Sequence, residues 1–173
     1  MVFAALSNYG TAGYNETFML LAGIVFAAAS FTDFLDGYLA RKYHLVTDFG
    51  KFMDPLADKC LTTAAFIYMV ADGICSPVVL AVILFREFAV AGVRMIAAES
   101  GTVIAANIWG KVKTVLQMLT ILFYYFAAAL GSPSDVLGVG LVTMALTWLV
   151  AAVTLLSGGI YLWQNRACFM QAK

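Results

Sequence analysis

Five apolar runs, each about as long as a bilayer's roughly 30 Å hydrocarbon layer requires, leave this chain few ways to fold. Hydrocarbon offers no partner to a peptide N–H or C=O, so a run that crosses it must bond within itself as a helix or close into a barrel. No alternation of apolar and polar residues suggests strands. Of 173 residues, 63% are hydrophobic and 12% charged, against about 25% charged in an ordinary soluble domain. The expectation is an all-α polytopic membrane bundle in one domain, residues 1–173, with no repeat or linker. Ten basic and ten acidic residues cancel, so nothing points to nucleic acid.

The first complete span is expected over Glu16 to Tyr43. The second should open at Asp54-Pro55, with proline in the first helical position, and run to about Ala71. The third follows Ser76-Pro77 and reaches about Glu99; the fourth covers Ala106 to Leu130. The fifth begins after Ser132-Pro133-Ser134-Asp135 and ends near Trp163, an indole suited to a membrane interface. Met1–Leu6 is apolar but too short to span, and reads as the tail of a first helix that roughly 20 upstream residues would complete. Cys60, Cys75 and Cys168 lie far apart and read as apolar packing residues without a disulfide.

All ten Lys and Arg residues fall towards one side: Arg41, Lys42, Lys51, Lys59, Arg86, Arg94, Lys111, Lys113, Arg166 and Lys173. The opposite loops contain none, which makes the basic side cytoplasmic. Four acids share that side. Asp33 and Asp36 are three apart and Asp54 and Asp58 four apart, so on helices each pair shares a face. Asp48, Asp72 and Asp135 are adequately read as turn or helix-start residues. The quartet is not: four ionised carboxylates in an apolar setting need a cation, and intramembrane acids are functional by default. A divalent metal site, for two ions, is the economical reading. Gly37 and Gly50 would let a ligand approach closely, and Arg41 suits a phosphate oxygen, which together describe a pyrophosphate pocket.

The pattern D-x2-D-G-x2-A-R-x8-G-x3-D-x3-D, complete from Asp33 to Asp58, resembles the signature of the CDP-alcohol phosphotransferases. That resemblance implies a six-helix membrane fold, here with its first helix truncated, generally as a homodimer. It implies transfer of a phosphatidyl or similar group from a CDP-linked donor to an alcohol, with release of CMP. It implies that Asp33, Asp36, Asp54 and Asp58 hold two Mg2+ or Mn2+ ions, that Asp58 is the base, and that the cytidine diphosphate lies near Asp33, Gly37, Ala40, Arg41 and Gly50.

Downstream, Arg86 and Arg94 are two turns apart, and Lys111 follows Gly110. These three form a cationic cluster fit for a second anion, as an acceptor carrying a phosphate would need. Arg86 has the alternative of an internal salt bridge, to Glu87 or to a metal-site acid, and Lys113 reads as an interfacial lysine snorkelling to water. The stretch R-E-F-A-V-A-G-V-R…G-K-V-K-T-V-L-Q-M is similar to the family's phosphatidylglycerophosphate-forming branch, which implies CDP-diacylglycerol and glycerol 3-phosphate as substrates in a bacterial cytoplasmic membrane. Phosphatidylglycerol, serine or inositol phosphate remain alternative acceptors within the family. A divalent-cation carrier is a different alternative, but it would spread acids through the membrane depth rather than gather them at one side.

Overall fold

The computed structural model describes residues 16–43, 48–99, 108–130 and 137–164. These form five helices: α1 (Glu16–Lys42), α2 (Asp48–Ala71), α3 (Pro77–Glu99), α4 (Ile108–Ala128) and α5 (Leu137–Gln164). No strand occurs among the described residues, and the all-helical expectation holds. Glu16–Leu39 and Gly138–Gln164 are each long and apolar enough to cross a membrane. In α2 the early charged residues confine the apolar stretch to Lys59–Ala71. The expected helix upstream of Glu16 lies outside the described residues, as does Cys168, whereas Cys60 and Cys75 are both free thiols.

The junction between α2 and α3 shows how local chemistry sets the ends. Gly73, at φ +73°, follows α2 in the left-handed conformation that glycine adopts without a side-chain clash. Its N–H donates to the Val70 carbonyl and that of Ile74 to the Met69 carbonyl, both at 3.0 Å, so the last carbonyls of α2 are satisfied. Two residues on, Ser76 caps α3: its Oγ accepts from the Val78 N–H at 3.3 Å, with Pro77 in the first helical position. Asp72, expected to be a solvated turn residue, instead accepts a 2.5 Å hydrogen bond from the Tyr124 hydroxyl, tying this turn to α4. Burial pushes the Cys75 thiol up to about 11, against a smaller opposing effect of its hydrogen bond with Thr147.

One expected boundary was displaced. The second helix begins at Asp48 rather than Asp54, so Pro55 sits inside its second turn. Proline there forfeits one backbone bond, to the carbonyl four residues back, yet the helix continues through it. The extension places Gly50, Asp54 and Asp58 at successive four-residue steps along one helical face.

α4 and α5 form the centre of the bundle. The buried positions of α4 are Lys113, Gln117, Thr120, Ile121, Tyr124, Tyr125 and Ala128, a stripe at helical spacing. On α5 the matching stripe includes Thr143, Thr147, Val150, Ala151, Thr154, Ser157 and Tyr161. The outward faces carry Val115, Leu119, Phe123, Leu141, Leu155 and Leu156. Such a polarity, with hydroxyls and an amide inside and branched apolar side chains outside, suits lipid as the surrounding solvent. Several inward hydroxyls are satisfied locally: Thr120 donates to the Leu116 carbonyl and Thr143 to the Val139 carbonyl, one turn back, whereas Thr154 Oγ1 has no partner among the described residues. α1 packs on α4, α3 on α5, and α2 on both α3 and α4.

Candidate functional site

Asp33 and Asp36 stand one turn apart near the end of α1, both exposed, with Gly37 half-buried beside them. Among the described residues, neither carboxylate is ion-paired with a lysine or arginine. Two unpaired carboxylates at helical spacing offer hard oxygen donors on one face, the donor chemistry that Mg2+ or Mn2+ takes. Ala40 and Arg41 lie on α1, and Gly50, Asp54 and Asp58 on α2, but their side chains are outside the described residues. Among the described residues no three acids, histidines or cysteines converge.

The second predicted cluster is described in full. Arg86 lies inside the bundle and takes the salt bridge that was its alternative: Nη1 donates to Glu87 Oε1 at 3.2 Å. Its Nη2 donates to Ser157 Oγ on α5 at 3.1 Å, while Nε–H has no acceptor among the described residues. The side chain passes over Gly158, where a Cβ would stand 2.8 Å from Arg86 Cγ. Arg94, farther along α3, donates from Nε to the Tyr161 hydroxyl at 3.4 Å, with its guanidinium carbon 5.6 Å from that ring's centre. Lys111 is exposed at the start of α4, one residue beyond Gly110, whose Cβ position is 3.8 Å from Arg86 Nη2. The structure therefore brings Arg86 to the start of α4, near Lys111, and binds Arg94 to α5.

Lys113 overturns the expectation of an interfacial lysine. It is 4% exposed, and its Nζ hydrogen-bonds Glu87 Oε1 across the α3–α4 contact. Snorkelling requires a path to water, and here a half-buried carboxylate meets the ammonium instead. Lys59 adds a third cation, its Nζ 4.0 Å from Glu87 Oε2. Among the described residues, three cations thus face one carboxylate, an excess of two positive charges.

This cluster closes one end of a cavity of about 380 Å³ between α2, α3 and α4. Lys59, Glu87, Lys113, Thr114 and Gln117 line its polar part, and Phe66, Ile67, Leu80, Ile83 and Leu84 much of its apolar part. Sequence reasoning missed Lys59, Glu87 and Lys113 as site residues. A signal existed in the four-residue step from Lys113 to Gln117, both polar on the stripe that the helix buries.

The model of the CDP-alcohol phosphatidyltransferase family matches residues 1–156. A CDP-diacylglycerol–glycerol-3-phosphate 3-phosphatidyltransferase of Bacillus subtilis (strain 168) is 42% identical over 148 residues, covering 84% of this chain and 74% of the relative. The protein of the same name from Rickettsia bellii (strain RML369-C) is 38% identical over 143 residues, covering 82% and 77%. A probable phosphatidylglycerophosphate synthase of Mycobacterium tuberculosis (strain CDC 1551 / Oshkosh) is 37% identical over 153 residues, covering 88% and 70%.

Proposed function

Because the chain belongs to the CDP-alcohol phosphatidyltransferase family, we propose that it transfers the phosphatidyl group of CDP-diacylglycerol to sn-glycerol 3-phosphate. The products are phosphatidylglycerophosphate and CMP. The observation that carries the acceptor is the excess of positive charge that, among the described residues, Lys59, Arg86 and Lys113 hold around Glu87 beside the cavity. A phosphate monoester carries about −1.5 to −2 at neutral pH and would offset that excess. Serine, which lacks a phosphate, would not. The names of the relatives in Bacillus subtilis and Rickettsia bellii support the same substrates.

In this reading Gly37, Ala40, Arg41 and Gly50, with Asp33, take the cytidine diphosphate part of the donor. The glycines allow close approach, and Arg41 supplies a charge-assisted bond to a phosphate oxygen. Asp33, Asp36, Asp54 and Asp58 would hold two Mg2+ or Mn2+ ions, which supply charge neutralisation to the pyrophosphate and to the departing CMP. Asp58 accepts the proton of the acceptor hydroxyl. The hydroxyl oxygen then bonds to the phosphatidyl phosphorus as the pyrophosphate P–O bond breaks, and the electron pair leaves with CMP. Arg86, Arg94 and Lys111, joined by Lys59 and Lys113, orient the acceptor phosphate. We place the enzyme as a homodimer in a bacterial cytoplasmic membrane, with this site open to the cytosol.

The test is the product formed from labelled glycerol 3-phosphate and CDP-diacylglycerol by the purified chain in detergent with Mg2+. Labelled phosphatidylglycerophosphate with stoichiometric CMP is expected, and Asp33→Asn and Asp58→Asn should each lower turnover at least about a hundredfold. Wild-type turnover in either variant would remove the metal assignment. CMP release that depends on another alcohol would remove the acceptor assignment.

A further inference from the structure

Glu87 takes no part in the reaction as proposed above, yet the cationic cluster is built around it. Its side chain is 16% exposed and receives Lys113 and Arg86 on Oε1, with Lys59 at 4.0 Å from Oε2. The three cations come from three helices: Lys59 from α2, Arg86 from α3, and Lys113 from α4. Arg86 and Lys113 are 11% and 5% exposed, so water screens little of their mutual repulsion. Like charges do not gather in such a setting without a counter-ion, and a buried ion pair weakens badly when one member is removed. Among the described residues, Glu87 is the carboxylate within ion-pairing distance of all three.

We propose that Glu87 is a positioning residue for the acceptor: its carboxylate holds Lys59 and Lys113 in the polar wall of the α2–α3–α4 cavity, with Arg86 behind them, so that they present a ready-formed cationic set to the phosphate of the incoming alcohol phosphate. The proposal rests on the phosphate-bearing acceptor inferred above. A preformed site binds more tightly because the ordering cost is met in folding rather than in binding. Lys59 follows Asp58 directly in α2. The contact between Glu87 and Lys59 therefore ties the acceptor's cations to the helix that carries the proposed base, which fixes the distance between the bound phosphate and the reacting hydroxyl. Without the carboxylate, Lys59, the most exposed of the three at 31%, is free to move out towards water, and Arg86 keeps only Ser157.

The variants are Glu87→Gln, similar in shape without the charge, and Glu87→Asp, which keeps the charge on a shorter arm. Each is purified as the full chain in detergent micelles, and the KM for glycerol 3-phosphate and for CDP-diacylglycerol are measured separately. Glu87→Gln should raise the glycerol 3-phosphate KM about thirtyfold, equivalent to roughly 2 kcal/mol at about 1.4 kcal/mol per tenfold, with the CDP-diacylglycerol KM within about twofold. Glu87→Asp should recover most of the loss, leaving a severalfold rise in the glycerol 3-phosphate KM alone. A wild-type glycerol 3-phosphate KM in Glu87→Gln overturns the proposal, and so does an equal rise in both KM values, which is what a merely structural role produces. If Glu87→Gln cannot be recovered folded, Glu87→Asp decides: a rise confined to glycerol 3-phosphate supports the proposal and an unchanged KM overturns it. Failure of the underlying reading looks different. In that case the wild-type chain makes no phosphatidylglycerophosphate from glycerol 3-phosphate, and the proposal falls with the acceptor.

Discussion

Arg86 illustrates how much a single side chain depends on what faces it. It spans from Glu87 to Ser157, and it can do so because Gly158 leaves room for its methylenes. A methyl group at position 158 would stand 2.8 Å from Arg86 Cγ, so one of the two must move. Gly158→Ala is therefore expected to displace Arg86, raise the KM for the acceptor and cost about 1–3 kcal/mol of stability. Gly159→Ala, with nothing within 4 Å of its Cβ position, should leave both unchanged. Acceptor kinetics and detergent unfolding temperatures check the pair. Asp33 and Asp36 stand out as a candidate site from the sequence because the signal lies in spacing along one helix and in the improbability of carboxylates in an apolar run. Lys113 was misread for the opposite reason. Whether a lysine near a helix end reaches water or a half-buried acid depends on the neighbouring helix, and Glu87 is 26 residues away along the chain.

At the scale of the helix, one boundary marked by side-chain chemistry came out where the sequence put it and another did not. Ser76-Pro77 opens α3 because a serine oxygen satisfies an early N–H and proline has none to satisfy. Asp54-Pro55 carried the same outward marks but lies inside α2, where the proline forfeits one backbone bond without ending the helix. The correction matters to function, since only an uninterrupted helix from Asp48 sets Gly50, Asp54 and Asp58 in one row. Helix contacts were less legible. Gly23 lies where α1 meets α4, and its Cβ position is 3.0 Å from Tyr125 Cβ. Close approach of this kind relies on a missing side chain. Gly23→Ala should lower the unfolding temperature in detergent, by an amount corresponding to about 1 kcal/mol or more, as the helices part. Gly92→Ala on α3, which meets open space, should be neutral or slightly stabilising, since alanine is the better helix former.

For the molecule as a whole, the apolar composition and the one-sided distribution of ten lysines and arginines led to a membrane bundle with its basic face in the cytosol. That orientation predicts a labelling pattern. In a background with Cys60, Cys75 and Cys168 replaced by serine, Leu130→Cys, just past the end of α4, should react with an impermeant maleimide from outside the cell. Lys42→Cys, at the end of α1, should react only after the membrane is opened. The reverse pattern would overturn the orientation. Helical class, the number of long helices, the carboxylate motif and the sidedness of charge were all present in the sequence. Each is a property of spacing along the chain or of composition, which covalent connectivity and the solvent dictate without reference to distant residues. The tertiary structure alone decided that Lys59, Arg86 and Lys113 share one carboxylate beside a cavity, and that Asp72 binds Tyr124 at the other end. Those are contacts between helices, made or lost by small shifts in packing, and no periodicity within a single helix encodes the identity of its partner.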